Sequence, residues 1–374
     1  KAKLLLALQE DGNSVILPDT PEARREVENI MPVIYTQYVD IKEATVSGFA
    51  ARAPEYHREH IWSITFSKDI ETISDVAFKS SEDIVHSAVI GVGDGRIPRR
   101  KYLNPSLLAV GTDRKGVNGG ESAACLYLID GVTGKIINRF DQKNGQGPIH
   151  LALSENSVVM HYFNQKSNSY EITVVELYEH PKRAAKIDAL SPVREDGAPT
   201  FSSLTAPGPE IMQKTFLFSE SVRGLSVTST RRGITSKLVL ASLSSHQLAG
   251  IGRHLLDARR PHTEGALSKN QMADGLLAYH PVVVLDPKGF PTYNKTVANI
   301  KAVASADTFL ESTTLVLAYG TDLFFARVTP SGAFDLLSSD FNRPFLTATV
   351  TLVAVLLGLT YRWSRQKKLD VLWT

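Results

Sequence analysis

The sequence is poor in cysteine, and this scarcity excludes several kinds of site. Among 374 residues there is one cysteine, Cys125. A single thiol cannot form an internal disulfide. It also cannot build the zinc, iron–sulfur or CxxC redox centres that need two or more thiolates. Because Cys125 lies inside an apolar run, we expect it to be a buried small side chain.

An excess of charge of one sign is also lacking. The chain has 41 Lys and Arg against 39 Asp and Glu, a net charge of +2. This balance gives no electrostatic reason to bind nucleic acid, so no nucleic-acid partner is expected. Short basic clusters at 99–101 and 231–232 indicate solvated loops. A hydrophobic share of 43% is typical of a folded protein of two or three domains, or of one large repeat fold.

Catalytic signatures are missing as well. Neither GxSxG nor HExxH occurs in the chain. His57 and His60 form an HxxH pair, but no third ligand is nearby and a strand-like run follows, so we predict two surface histidines. The glycine-rich stretch 91–95 lacks the Lys-Ser/Thr of a phosphate-binding loop and predicts a turn. We therefore predict a non-enzyme without catalytic, cofactor-binding or metal-binding residues.

Charged residues are absent from 345–361, a run of 17 residues. As a helix this run spans roughly 25 Å, the short end of the range that crosses a bilayer. Pro344 suits the first turn of a helix. Arg343 and Arg362 stand at its two ends, and Trp363 lies at the depth expected for an interfacial aromatic. The sequence therefore predicts a transmembrane helix over 345–361.

The charges around this helix predict its orientation. The segment 362–374 has four basic residues and one acidic residue, so the positive-inside rule places it in the cytosol. Residues 1–330 and the juxtamembrane segment 331–344 then lie on the lumenal side. We expect Asp340, Arg343, Arg362 and Trp363 to be contacts that flank the membrane helix. Because the chain starts without a methionine or a signal peptide, we expect it to be the C-terminal part of a longer precursor.

A possible glycosylation site agrees with this topology. Asn294, Lys295 and Thr296 form an N-glycosylation sequon in a polar stretch that the predicted topology places in the lumen. We therefore predict Asn294 as the N-glycosylation site of the chain.

Many short apolar runs predict a mainly β fold, a propeller or a sandwich. The strand-like runs are 123–130, 135–140, 149–153, 158–163, 172–178, 215–218, 225–230, 237–243, 313–319 and 323–328. The hairpin LYLIDGVTGKII looks like a blade hairpin of quinoprotein-type propellers, which favours the propeller. Other segments predict a helix at 21–30, a surface loop at 111–121, and loops or linkers near 190–209 and 255–278.

Several of these motifs occur together in one known family. They are YLNP at 102–105, LIDGVTG at 128–134, GPIH at 147–150, SEN at 154–156, VELYE at 175–179, RGITS at 232–236, LLDARRP at 255–261, YNKTV at 293–297 and LAYGTD at 317–322. With the membrane helix and its basic tail, this set resembles subunit 1 of the endoplasmic reticulum (ER) membrane protein complex. The resemblance covers the chain from about residue 102 onward.

The resemblance implies a type I ER membrane protein with a large lumenal β-propeller region. It implies partners among the other subunits of that complex, both lumenal and membrane-embedded, including an Oxa1-type insertase subunit. It also implies contact with the lipid bilayer and with client membrane proteins, both tail-anchored and multi-pass. The role implied for this subunit is a non-catalytic scaffold that supports insertion of transmembrane helices.

Two other functions fit parts of the pattern. The first is a single-span propeller receptor for cargo or trafficking, although the tail shows no obvious sorting signal. The second is a membrane-anchored quinoprotein dehydrogenase, suggested by the LIDGVTG hairpin. That enzyme needs a calcium-centred carboxylate cluster and aromatics stacked on the quinone, and the sequence shows neither.

Overall fold

The computed structural model describes residues 5–8, 14–30, 32–80, 83–92, 98–116, 121–180, 201–263, 266–335 and 341–373. Strands dominate these residues, and the mainly β prediction is confirmed. The α-helices within them are α1 (Pro21–Ile30), α2 (Lys269–Ala273) and α3 (Arg343–Trp373). The predicted helix at 21–30 and the single C-terminal apolar helix are therefore present.

Two small hairpins and five larger sheets hold the strands of the described residues, and all pairings between strands are antiparallel. The hairpins are β1 (Leu5–Leu8) with β2 (Ser14–Leu17), and β7 (Val89–Val92) with β8 (Pro98–Arg100). The first two larger sheets, in chain order, are β3 (Val33–Asp40), β4 (Thr45–Arg52) and β5 (His57–Thr65), then β6 (Glu71–Phe78) beside β9 (Leu107–Arg114), β10 (Ala123–Asp130) and β11 (Ile136–Lys143).

The remaining three sheets are continuous in sequence. They are β12 (Gly145–Ser154), β13 (Ser157–Asn164), β14 (Ser169–Tyr178) and β15 (Glu210–Phe218), then β16 (Val222–Val227), β17 (Leu238–Leu243) and β18 (Leu248–Gly252), then β19 (Ile300–Asp307), β20 (Thr314–Gly320) and β21 (Leu323–Val328). Each is a meander of neighbouring strands. Sheets of three or four strands built in sequence order are the architecture of propeller blades.

Each strand-like run found in the sequence overlaps a strand of these sheets, although the run 225–230 extends three residues beyond the end of β16 at Val227. The predicted hairpin is β10 and β11, in which the amide of Asp130 donates to the carbonyl of Lys135 at 2.9 Å. One boundary prediction is wrong. The predicted loop at 111–121 begins inside β9, because residues as far as Arg114 pair with both β6 and β10.

The core lies between the faces of neighbouring sheets. Every residue of β10 is buried, and so are the first six residues of β13. Cys125 is buried within β10, as predicted. A strand buried on both faces has a sheet on each side of it, so the inner sheets of this series are sandwiched between neighbours.

The chain divides into two compact units, Lys1–Gly332 and Ala333–Thr374. The first contains all the sheets formed by the described residues, and the second contains α3. Of the predicted linkers, residues 201–209 form no helix or strand, while 190–200 lie outside the described residues. The stretch 255–278 holds the short helix α2, whose Ser268 cap accepts a hydrogen bond from the amide of Gln271.

Candidate functional site

Several polar groups of helix α3 form hydrogen bonds with neighbouring residues of the helix and its cap. At its start the side chain of Asn342 accepts a hydrogen bond from the amide of Phe345 at 2.9 Å and so caps the helix. The hydroxyls of Thr347 and Thr351 donate to carbonyls one turn earlier, at 2.9 and 2.7 Å. A helix whose hydroxyls are bonded internally can enter hydrocarbon without unpaired donors.

The apolar side chains of α3 are exposed as far as Lys368. Arg343–Lys368 is long and apolar enough to cross a membrane, and none of its most apolar stretch is buried. At 26 residues it measures about 39 Å, against a hydrocarbon core of about 30 Å. In a protein surrounded by water such a surface would be strongly unfavourable, so α3 is the candidate membrane-spanning element.

The predicted flanking residues lie near the two ends of this element. Arg343 begins α3, and Arg362 and Trp363 follow the apolar run; all three side chains are exposed. The helix continues to Trp373, so the predicted tail 362–374 is helical as far as residue 373. Asp340 lies outside the described residues.

The predicted glycosylation residue is accessible. Asn294 lies in a turn over residues 291–294, and its side chain is exposed, as is that of Thr296. Just after the sequon the chain is fixed again, since the amide of Val297 donates to the carbonyl of His246 at 2.8 Å. The geometry is compatible with a glycan on Asn294.

A buried cluster of charged side chains lies among the sheets of the first unit, and it was not predicted from the sequence. At its centre the Lys101 ammonium and the Glu155 carboxylate form an ion pair whose side chains are both almost fully buried. Lys237 pairs with Asp83 and lies 3.8 Å from Glu155. Lys79 donates to the carbonyl of Glu155 at 2.8 Å. These residues come from segments up to 158 positions apart, which is why no local motif indicates them.

The environment of this cluster changes its titration. Burial lowers the pKa of Lys79 to about 8, although Asp83 and Glu155 act against that shift. Burial alone would raise the pKa of Glu155, but Lys101 and the other nearby cations outweigh it, and the pKa lies below its usual value. The Glu155 carboxylate therefore stays ionised at neutral pH.

A second group of charges continues from the first around a cavity of about 400 Å³. Arg253 pairs with Glu176 at 3.2 Å, and Glu176 also accepts a hydrogen bond from the Tyr178 hydroxyl at 2.6 Å. Arg259 pairs with Asp257 at 2.7 Å and donates to a backbone carbonyl at the same distance. Because each of these cations is paired with an anion, the arrangement indicates a structural role, in which the ion pairs hold neighbouring sheets together.

The motifs that carry the family resemblance fix loops. In the LIDGVTG turn, one carboxylate oxygen of Asp130 accepts from the amides of Val132 and Thr133 at 3.0 and 2.9 Å. Its other oxygen accepts from the amide group of Asn104 in the YLNP motif at 2.7 Å. The carboxylate is therefore fully used inside the protein.

The RGITS motif is held in the same manner by a distant carboxylate. Glu311 accepts hydrogen bonds from the backbone amides of Arg232 and Ile234 at 2.7 and 2.8 Å. The Thr235 hydroxyl donates to the backbone carbonyl of Glu311 at 3.0 Å. This motif thus joins the loop before β17 to the loop before β20, nearly 80 residues later.

The residues considered for metal binding do not converge. His57 and His60 lie on strand β5 with exposed side chains. Within the described parts of the chain, no three His, Cys, Asp or Glu side chains are grouped so as to hold a metal ion. The glycine-rich stretch 91–95 falls mostly outside the described residues.

Comparisons of the chain with a family model and with individual known proteins all point to the same family. The family model described as "ER membrane protein complex subunit 1, second beta-propeller" matches residues 1–331. Proteins named "ER membrane protein complex subunit 1" from Gallus gallus and Xenopus laevis are 33% and 32% identical over 373 residues, all of this chain. The protein of that name from Schizosaccharomyces pombe is 31% identical over 347 residues, 90% of this chain. The chain spans about a third, 36%, of the length of each of these relatives.

Proposed function

The chain belongs to the family of subunit 1 of the ER membrane protein complex, with the β-propeller fold predicted for it, and from that membership we propose that it is a non-catalytic scaffold subunit. In this role it supports the insertion of transmembrane helices, tail-anchored and multi-pass, into the ER membrane. The observation that carries the proposal is α3, an apolar helix with exposed side chains that follows a unit made mainly of packed sheets.

The polar chemistry of the sheets supports a scaffold. The carboxylates of Asp130 and Glu311 bind backbone amides, and the charges around Glu155 pair with one another. Groups used in this way add rigidity and give a substrate no free nucleophile or base. The Asp130 carboxylate gives the hairpin a structural role, which favours a scaffold over a quinoprotein dehydrogenase.

The proposed placement has the sheets in the lumen and the helix end 362–373 in the cytosol. Residues Asp340, Arg343, Arg362 and Trp363 then flank the bilayer and set the depth of α3. The proposed partners are the other subunits of the complex, including an Oxa1-type insertase subunit packed near α3 in the membrane, and client membrane proteins during insertion.

The test replaces the segment 345–361 by an unrelated apolar helix of equal length, and Arg343 and Arg362 are kept. The variant is expected to reach the membrane but to lose co-purifying subunits and insertion of a tail-anchored client. A matched control replaces only Val350, Val353 and Leu357 by other aliphatic residues and should retain both. If the full replacement assembled and inserted the client normally, α3 would be an anchor without a packing role.

A further inference from the structure

Two neighbouring loops at one end of the sheets carry exposed apolar and basic side chains. Phe309, between β19 and β20, is 87% exposed, the highest value for any large apolar side chain among the described residues. Ile234, between β16 and β17, is 57% exposed, and Arg231 and Arg232 beside it are exposed as well. The Arg231 guanidinium lies over the Phe309 ring at 5.6 Å, so the two loops form one surface. We call these four side chains the loop patch.

The turn that carries Arg232 and Ile234 is fixed from within the protein. The buried carboxylate of Glu311 accepts hydrogen bonds from the backbone amides of both residues. Gly233 stands between them with a φ of +70°, and a side chain at this position would collide with the carbonyl of Val85. The exposed side chains on either side of Gly233 are therefore presented to the surface by a defined turn.

The composition of the loop patch fits the surface of a lipid bilayer. Phe309 and Ile234 expose apolar area to water, and such side chains are stabilised at the boundary between lipid headgroups and acyl chains. No ion pair joins Arg231 or Arg232 to a carboxylate side chain within the described residues, so both guanidinium groups are available to a ligand. Guanidinium binds phosphate through parallel hydrogen bonds, and every phospholipid headgroup offers a phosphate.

The chain leaves the first unit close to the loop patch. The hydroxyl of Ser236, two residues after Ile234, lies 2.9 Å from the hydroxyl of Ser331. The first unit ends at Gly332, and α3 begins at Arg343. Arg343 follows Ser331 by 12 residues, a length of chain that reaches at most about 40 Å. A short tether therefore connects this end of the sheets to the candidate membrane helix.

The predicted glycosylation site lies at the other end of the same sheet. The loop patch lies where β17 begins, whereas the turn at 244–247 follows the end of β17. The carbonyl of Tyr293, just before Asn294, accepts a hydrogen bond from the Gln247 side chain at 3.1 Å in that turn. A glycan is bulky and hydrophilic and belongs in water. A glycan on Asn294 would therefore not interfere with a membrane at the loop patch.

We propose that the loop patch is a membrane contact of the sheets. Phe309 and Ile234 enter the boundary between headgroups and acyl chains, and Arg231 and Arg232 bind phospholipid phosphates. The bilayer is the one that α3 crosses, so the proposal rests on α3 as a membrane-spanning helix and does not depend on the insertion role. Such a contact restricts rotation of the sheets about the tether.

The test uses the full-length polypeptide in its native membrane, with the photoreactive p-benzoylphenylalanine in place of Phe309. This substitution exchanges one exposed aromatic for another. On irradiation we expect phospholipid adducts at position 309, identified by mass spectrometry. The same probe in place of Tyr293, an aromatic of 76% exposure at the other end of the sheet, should give no lipid adduct. Cross-links at position 309 to protein and not to lipid, or equal lipid yields at the two positions, would overturn the proposal.

Extraction with alkaline carbonate separates the proposal from its premise. If α3 crosses the membrane, the protein resists extraction. A protein that resists extraction but gives no lipid adduct at position 309 would show that the loop patch is in water, and only this proposal would fail. A protein that is extracted would refute the membrane span and the loop patch together.

A charge-reversal variant tests the two arginines. Arg231→Glu combined with Arg232→Glu should lower the yield of lipid adduct from the probe at position 309 by about fivefold or more, because basic groups bind the membrane surface. The matched control is Arg24→Glu combined with Arg25→Glu, which reverses two adjacent exposed arginines on α1 and should leave the yield unchanged. Equal yields from the two double variants would overturn the assignment of Arg231 and Arg232 to lipid phosphates.

Discussion

The side-chain amide of Asn104 donates a hydrogen bond to the carboxylate of Asp130 at 2.7 Å, and both side chains are buried. This contact joins two segments that the sequence shows as separate motifs. The other oxygen of Asp130 holds the turn between β10 and β11 through the amides of Val132 and Thr133. One carboxylate thus fixes a hairpin and attaches it to the loop before β9.

Asp130→Ala should therefore be strongly destabilising. It removes the acceptor for the turn and leaves the Asn104 amide group buried without its partner. We expect a loss of about 2–4 kcal/mol in the free energy of unfolding, measured by urea denaturation. Lys135→Ala, an exposed position in the same hairpin, should cost less than about 0.5 kcal/mol. Similar costs for the two variants would contradict this role of Asp130.

The buried ion pair of Lys101 and Glu155 gives a second prediction. Lys101→Met leaves the Glu155 carboxylate buried with fewer cations, and we expect a cost of about 3 kcal/mol in the free energy of unfolding. Lys68→Met is the matched control, because its pair with Glu43 at 2.6 Å is exposed to solvent. That control should cost less than about 1 kcal/mol.

A double variant distinguishes the cost of the unpaired Glu155 charge from the cost of altered packing at Lys101. Adding Glu155→Gln to Lys101→Met removes the unpaired carboxylate, so the double variant should be more stable than the sum of the two single changes predicts. Strict additivity in this double-mutant cycle would mean that Lys101 and Glu155 are not coupled.

His161 gives the folded protein a dependence on pH. It is buried and stacked on Tyr170 with ring centroids 5.4 Å apart, and burial lowers its pKa from 6.5 to about 3. Between these values the unfolded chain binds a proton that the folded chain does not, so stability falls as the pH drops below about 6.5. From pH 7 to pH 5 the loss from this residue is about 2 kcal/mol.

His161→Phe removes the titrating group and keeps an aromatic ring in the same place. Between pH 7 and pH 5, its free energy of unfolding should therefore fall by about 2 kcal/mol less than that of the parent. His57→Phe, at an exposed position on β5, serves as the control. An unchanged pH dependence in His161→Phe would show that other groups cause the acid sensitivity.

Glycosylation tests the proposed orientation. If the sheets are lumenal, the protein expressed in cells should move faster on a gel after treatment with an endoglycosidase. Asn294→Gln should abolish that shift, because Asn294 is the exposed asparagine of the sequon. Asn270→Gln changes an exposed asparagine outside any sequon and should leave the shift intact. A parent protein without the shift would leave the lumenal placement unsupported.

The sequence predicted ten of the strands and missed others, among them β9, whose first six residues are buried. The run AACLYLID of β10 is apolar on both faces and was unmistakable. Strand β19, with the sequence IKAVASAD, shows only a weak alternation of apolar and polar residues and was not predicted. Its backbone pairing with β20, and not an apolar pattern, makes it a strand. The mistaken start of the loop at 111–121 has the same cause, since Thr112 is in the ladder through its pairing with Cys125.

The membrane helix and the charge cluster are at opposite extremes of predictability. The apolar part of α3 is one continuous run and could be predicted from residues 345–361 alone, although the helix continues to Trp373. The cluster around Glu155 needs Asp83, Lys101 and Lys237 to meet in space, and only the packing of whole sheets brings them together. In sequence each of these residues resembles an ordinary surface charge.

The capping of α3 has a consequence for the order in which the protein forms. The Asn342 cap and the threonine hydroxyl bonds all lie between residues 342 and 360, so these contacts form within the helix and its cap. The sheets depend on contacts between residues far apart in sequence, which form slowly. Formation of the helix and folding of the sheets are therefore expected to be separable events.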